Sequence, residues 1–294
     1  LVSLAILAIT LSLLDLESVV EQLRGVDIRF VLVALIVSVP QIAVTAWRWH
    51  FTATRVGATL SLGTAWREYY VSRLLNQVLP GGVAGDVARV VRQANSETGR
   101  VGRVASSVVL ERASGQIVLW IAVLTTIPFV GAAAPTRPVA IVFGALAAAV
   151  LLLVLAARFG PLRQTRLGAL LQRVEQDLTA AFVARGAFAY QLLGSAVAFV
   201  LLIVEFWLCN LAVDGSLSLG SAFVLVPWVL AAVSIPLTAG GWGIREAAAG
   251  GIFGLVGYSP AEAVATSIVF GAVALLSSLP GAVVLLRPRG RDFE

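Results

Sequence analysis

Leu79-Pro80-Gly81-Gly82-Val83-Ala84-Gly85-Asp86 interrupts an apolar region and is followed at once by Arg89 and Arg92. Far downstream, Ile235-Pro236-Leu237-Thr238-Ala239-Gly240-Gly241-Trp242-Gly243-Ile244-Arg245-Glu246 repeats the arrangement of proline, paired glycines and charged residues between apolar flanks. In a membrane protein, two such interruptions in corresponding halves point to a transport site.

Composition places the chain in that class. It is 59% hydrophobic and 13% charged, with a mean hydropathy of +0.94, whereas soluble domains carry about 25% charged residues. The sequence therefore reads as an all-α polytopic membrane protein. All 21 basic residues are arginine and the net charge is +5, which fits cytoplasmic loops facing anionic headgroups. No soluble basic domain is present to carry nucleic acid. The single cysteine, Cys209, cannot form an internal disulfide or a cysteine metal cluster. One histidine, His50, without a carboxylate cluster beside it gives no metal site. No nucleophile motif or phosphate-loop motif occurs, so no catalytic residue, metal or cofactor is expected.

Spanning helices need about 20 apolar residues. Candidates are Leu1–Leu14 (read as the truncated first span), Ile28–Trp49, Val104–Pro128, Val139–Ala157, Phe188–Val213 and Ala263–Leu286. Trp47-Arg48-Trp49 reads as an interfacial anchor, with His50 beside it. Residues 158–185 hold apolar positions at helical spacing among arginines, an amphipathic helix at the membrane surface. The arginine-rich stretches 48–103, 158–185 and 287–291 go to the cytoplasm, and 15–27, 131–137 and 214–218 go outside. These assignments agree only if the two broken segments turn back without crossing. The expected architecture is about six transmembrane helices plus two re-entrant helical hairpins, with both termini cytoplasmic. Residues 1–294 then form a single membrane domain. It has a first repeat at 28–128 with its hairpin at 66–92, a span plus surface helix at 139–185, and a second repeat at 187–286 with its hairpin at 219–257. The repeats have opposite orientation, an inverted-topology repeat.

At each break the backbone leaves its helical ladder, which membrane depth tolerates only inside protein or beside a wet cavity. Gly81, Gly82, Gly240 and Gly241 permit positive φ and close approach to a ligand. The helices that follow, from about Val83 and Ile244, would aim their N-terminal N–H groups at an anion. Alternatively, the glycines serve only tight turns and close packing. A charge at mid-bilayer costs about 2.5–3.5 kcal/mol, so it needs a partner or a purpose. Asp86 and Arg89 sit one turn apart; Arg73, Asn76 and Gln77 share a helix face; Glu111 and Arg112 lie inside the Val104 span. We expect Arg73, Arg112 and Arg245 to meet an anionic headgroup, balanced by Asp86, Glu111 and Glu246. The competing view is a buried ion-pair network that holds the hairpins together. Glu205, inside another span, is either a cavity residue or a carboxyl protonated against a neighbour.

Three segments carry a family resemblance: Asn76 through Asp86 with Arg89, Leu110-Glu111-Arg112, and Pro236 through Glu246. In these the chain resembles the lysylphosphatidylglycerol synthase transmembrane family, the flippase-like domain of multiple peptide resistance proteins. The resemblance implies movement between leaflets of an anionic, aminoacylated or glycosylated lipid (a phospholipid, hopanoid or polyprenyl-linked sugar) in the cell membrane. Its partners would be those lipids, and a homodimer and a separate lipid-modifying enzyme are compatible with it. Bifunctional relatives carry a soluble aminoacyl-transferase domain, whose activity is expected to be absent here. Two other classes compete: a membrane-embedded phosphatase or transferase acting on a lipid phosphate, and a non-transporting membrane scaffold. The undecaprenyl-pyrophosphate phosphatases resemble the chain in layout, but they use a serine and an arginine after a Pro-Gly, whereas Pro80 is followed here by Gly-Gly-Val-Ala-Gly.

Overall fold

The computed structural model describes residues 16–94, 100–130, 176–183, 186–234 and 238–286. Among them every regular element is a helix, without strands. In order come α1 (Leu16–Arg24), α2 (Ile28–Arg55), α3 (Leu62–Val78), α4 (Ala84–Ala94) and α5 (Arg100–Val130). A π-helical turn at Thr179–Val183 precedes α6 (Ala187–Ala212), α7 (Leu219–Val233), α8 (Ile244–Leu255), α9 (Pro260–Ser278) and α10 (Pro280–Leu286). The expected spans at residues 1–14 and 139–157, the loop at 131–138, most of the amphipathic helix at 158–185 and the arginines after 286 lie outside the described residues.

Among the described residues, four stretches are long and apolar enough to cross a bilayer: Ile28–Arg55, Val101–Val130, Ala187–Ala212 and Pro260–Leu286. They coincide with four of the six expected spans. Their exposed faces are apolar, for example Ile28, Leu32, Ile36 and Val39 on α2, and Leu193, Val197 and Val200 on α6. This is the surface a helix presents to lipid. The protein is a membrane protein.

Helix ends follow local chemistry. Asp27 caps α2, its carboxylate accepting from the Arg29 N–H at 2.9 Å, and the Asp27 N–H donates to Ala212 O at 2.8 Å. The start of α2 is thereby tied to the end of α6. The Arg29 guanidinium, hydrogen-bonded to the same carboxylate, holds the Asp27 carboxyl below its usual range. Ser61 caps α3 through the Thr64 N–H, and Ser218 caps α7 through the Ser221 N–H. These two caps sit in matching sequences, Leu60-Ser61-Leu62-Gly63-Thr64-Ala65-Trp66 and Leu217-Ser218-Leu219-Gly220-Ser221-Ala222-Phe223. The order long helix, capped short helix, glycine break, short helix, long helix thus occurs twice, as α2 to α5 and as α6 to α9.

The most extensive helix contact runs between α2 and α6, the leading helices of the two halves. Two apolar cores flank it. The larger gathers Phe206, Trp228, Phe253 and Phe270 around α6 to α9. The smaller packs Trp49, Ala53, Ala65, Val104 and Val108 at α2, α3 and α5. Buried charged side chains from both halves collect at the two breaks, Arg89 against Trp49 of the smaller core and Arg245 against Phe270 of the larger.

Candidate functional site

At the first break α3 ends at Val78, with the Leu79 N–H still bonded to Leu75 O at 2.8 Å. Gly81 and Gly82 then take φ of +91° and +59°, a region in which side chains with a Cβ are strained. The chain reverses and α4 begins at Ala84, one residue later than expected. Asn76 caps the new helix, its Oδ1 accepting from the Gly85 N–H at 2.7 Å. A Cβ on Gly85 would run into the Ser72 backbone, so the two limbs pack as closely as this glycine permits.

That closeness assembles an ion network. Asp86 accepts from Ser72 Oγ at 3.2 Å and pairs with Arg89 at 2.9 Å. Arg89 also pairs with Glu111 of α5 at 3.1 Å, and its guanidinium lies 4.7 Å from the Trp49 ring centroid and 5.1 Å from that of Tyr69. Arg48 pairs with the other Glu111 oxygen at 3.3 Å and donates to Glu111 O and Ser114 Oγ. Arg112 closes the set on Asp86. Three guanidiniums therefore share two carboxylates. The Arg48 and Arg89 side chains are 4% and 1% exposed, whereas that of Arg112 is 43% exposed. The excess positive charge has one accessible outlet.

The second break is built differently. Gly240, Gly241 and Gly243 take φ of +58°, +77° and +89°. Residues 235–237, which include Pro236, are outside the described set. Glu246 turns back to accept from the Gly243 N–H at 2.6 Å and pairs with Arg245 at 2.8 Å. Ser267 of α9 joins both, accepting from Arg245 Nε at 3.1 Å and donating to Glu246 at 2.9 Å. Arg245 also faces the rings of Trp242 and Phe270. One cation meets one anion, and both are buried. At both helix starts, then, an N–H group expected to face an anion is already bonded within the protein, Gly85 to Asn76 and Gly243 to Glu246.

The breaks touch. The Gly240 N–H donates to Asn76 O at 2.9 Å, and a Cβ on Gly240 would collide with the Gln77 side chain. Beside this junction lies a cavity of about 390 Å³. Its polar part comes from Gln41, Thr45, Asn76, Gln77, Gln116, Ser195 and Ser234, with Arg48 and Arg112. Its apolar part comes from Leu119, Phe199, Leu202, Leu230 and Val233. The volume is within the range of small-ligand sites, about 300–1,000 Å³, and the two-sided lining suits an amphiphile.

Of the sequence candidates, Asn76, Gly82, Arg112, Gly240 and Gly241 line this cavity, and Gly81 does not. Arg73 reaches its wall indirectly, donating to Gln41 Oε1 at 2.6 Å and facing Glu205 at 3.8 Å. Asp86, Arg89 and Glu111 stand behind Arg112 as the ion network. Arg245 and Glu246 are engaged with each other, outside the lining. Two anchor assignments need correction. Trp47 is partly exposed, but Trp49 is fully buried and donates to Ser107 Oγ at 3.0 Å, and Arg48 belongs to the ion network. His50 Nδ1 contacts Leu60 O at 2.7 Å, tying the end of α2 to the loop before α3.

Gln41, Thr45, Gln116, Ser195 and above all Arg48 are absent from the sequence candidates. For Arg48 a signal existed. Counted back from the matching serine caps, Arg48 and Glu205 occupy the same place in the two halves. An interfacial arginine would have no reason to correspond to a mid-span glutamate.

A family model described as the lysylphosphatidylglycerol synthase TM region matches residues 1–281. No curated protein and no solved structure matches the chain.

Proposed function

Because the chain belongs to the lysylphosphatidylglycerol synthase transmembrane family, we propose that it binds the headgroup of an anionic lipid between its two broken segments and carries that lipid between leaflets. The observation that carries this reading is the cavity shared by both breaks, where a partly exposed Arg112 offers the surplus charge of a three-to-two ion network. A phosphate oxygen would displace part of the Asp86–Arg112 pairing, while Asn76, Gln77 and Gln116 supply amide donors and acceptors for glycerol, sugar or aminoacyl groups. Acyl chains would leave along the apolar wall of Phe199, Leu202 and Leu230 into the bilayer. The function assigned is binding and passage, with no bond made or broken.

In this reading the broken segments are re-entrant hairpins of two oppositely oriented repeats, set in the cell membrane with both termini cytoplasmic. A separate enzyme would supply any aminoacylated or glycosylated headgroup. The test is reconstitution of the pure protein into phosphatidylcholine vesicles with a panel of fluorescently labelled lipids: phosphatidylglycerol, its lysyl ester and a glycolipid. Dithionite quenching of the outer leaflet should show faster exchange than in protein-free vesicles for at least one anionic or modified lipid, and less of it for Arg112→Gln. Equal rates with and without protein across the panel would refute the proposal.

A further inference from the structure

Six carboxylates are buried among the described residues: Glu68, Asp86, Glu111, Glu205, Glu246 and Glu262. Five have hydrogen-bond donors: Arg92 for Glu68, Ser72 for Asp86, Arg89 for Glu111, Gly243, Arg245 and Ser267 for Glu246, Asn210 and Ser216 for Glu262. Glu205 is the exception. It is 0% exposed in the middle of α6, and neither of its oxygens has a hydrogen-bond partner. Among the described residues its one ion-pair contact is Arg73 at 3.8 Å, and that guanidinium is directed by its other end to Gln41 in the cavity wall.

We infer that Glu205 is a proton-binding site whose occupancy is linked to the headgroup through Arg73. The inference rests on the anionic-headgroup reading above and adds a driving force to it. With the cavity empty, Arg73 balances an ionised Glu205. When a phosphate enters beside Gln41, Arg73 turns to it, and Glu205 is left as a buried carboxylate without a countercharge. That state is costly in a membrane interior, so the carboxylate takes up one proton. One anion and one proton enter together, and the net charge of the site is unchanged. By linkage, protonation of Glu205 favours headgroup binding to the same degree that headgroup binding favours protonation.

The surroundings leave Arg73 as the control. On α2, Arg48 is committed to Glu111 of α5; on α9, Glu262 holds Asn210 and Ser216; α7 and the π-helical turn carry no charged residue. Arg245 and Glu246 of α8 are paired with each other, and Cys209 lies one turn along α6 from Glu205. Phe199 and Leu202, on the preceding turns of α6, line the cavity, so the acid sits one turn from where the lipid would pass.

The experiment uses labelled phosphatidylglycerol in phosphatidylcholine vesicles containing the wild-type protein, with and without an imposed pH gradient. One proton per lipid drives the label toward the alkaline side by up to about tenfold per pH unit at steady state. Glu205→Gln should still exchange the label between leaflets but lose the gradient-driven asymmetry. Arg73→Gln should lose both asymmetry and most of the exchange. Label exchange by the wild type with no response to the gradient overturns the inference and leaves the functional reading intact; this arm needs no variant to fold. A Glu205→Gln protein that keeps the full asymmetry also overturns it. No exchange of phosphatidylglycerol by the wild type at any pH refutes the anionic-lipid reading and the inference with it.

Discussion

At the first break three guanidiniums meet two carboxylates and Arg112 stays partly exposed; at the second, Arg245 and Glu246 close on each other and on Ser267. The backbone device is the same in both, paired glycines at positive φ followed by a short helix. The electrostatics differ, and that separates two jobs that the sequence pattern merges. A balanced, buried pair holds a backbone in place and offers nothing to a ligand. A surplus cation with an open side does offer something, and its partners hold it at the cavity edge. In the proposed function the first break therefore recognises, and the second is the wall against which it does so.

The largest test attacks the balance of each side. Glu111→Gln takes away the carboxylate shared by Arg48 and Arg89, leaving Arg48 buried without an acid while Arg89 shares Asp86 with Arg112. Arg245→Gln leaves Glu246 buried without its cation. Removing one partner of a buried pair typically costs about 3–5 kcal/mol, so both variants should melt well below wild type in detergent. The comparison predicts that they then diverge. Folded Arg245→Gln protein should keep its affinity for anionic lipid, whereas folded Glu111→Gln protein should show an altered one. Equal loss of lipid binding in both would erase the distinction between the breaks.

A smaller effect separates the glycines. Gly240 combines a positive φ with a Cβ position already filled by Gln77, and its N–H makes the hydrogen bond to Asn76. Gly81 has a positive φ but open space around its Cβ position. Gly240→Ala should thus cost about 2–3 kcal/mol, backbone strain plus displacement of Gln77, and Gly81→Ala about 1 kcal/mol from strain alone. Melting temperatures of the two variants give the order. The reverse order would mean that the first turn, and not the junction at Asn76, is the tighter of the two.

The uneven legibility of the site in the sequence has physical causes. Helix length and apolar content mark α2, α5, α6 and α9, and Pro-Gly-Gly marks where a ladder must break, because both are local properties. Asp86 with Arg89, and Arg245 with Glu246, are legible as pairs because their partners are neighbours on one helix turn. Arg48 is not, since its partner Glu111 lies on another helix and its own flanking tryptophans mimic an interfacial belt. The sequence also gives Arg245 and Arg112 equal standing. Only the three-dimensional arrangement, with Ser267 reaching Arg245 from α9 and nothing equivalent among the described residues enclosing Arg112, tells them apart. The cavity's amides from α2, α3 and α5 converge from distant segments, and no spacing within one segment announces them.

Arg112→Gln should have the smallest effect on stability and the most selective effect on binding. Its side chain is nearly half exposed, and pairs of that kind contribute at most about 1 kcal/mol. Asp86 Oδ1 keeps Ser72 and Arg89 after the substitution, so the carboxylate still has a countercharge although its Oδ2 loses Arg112. The melting temperature should stay close to wild type. Affinity for an anionic lipid should fall about tenfold, a loss of about 1.4 kcal/mol, because the accessible cation is gone while Arg48 and Arg89 remain locked on Glu111. Affinity for a zwitterionic lipid should change little, since it gains less from a surplus cation. Titration of detergent-solubilised protein with phosphatidylglycerol and with phosphatidylcholine reads both numbers. If the two lipids lose affinity equally, the site recognises shape and polarity alone, and the charge surplus at the first break is structural like the pair at the second.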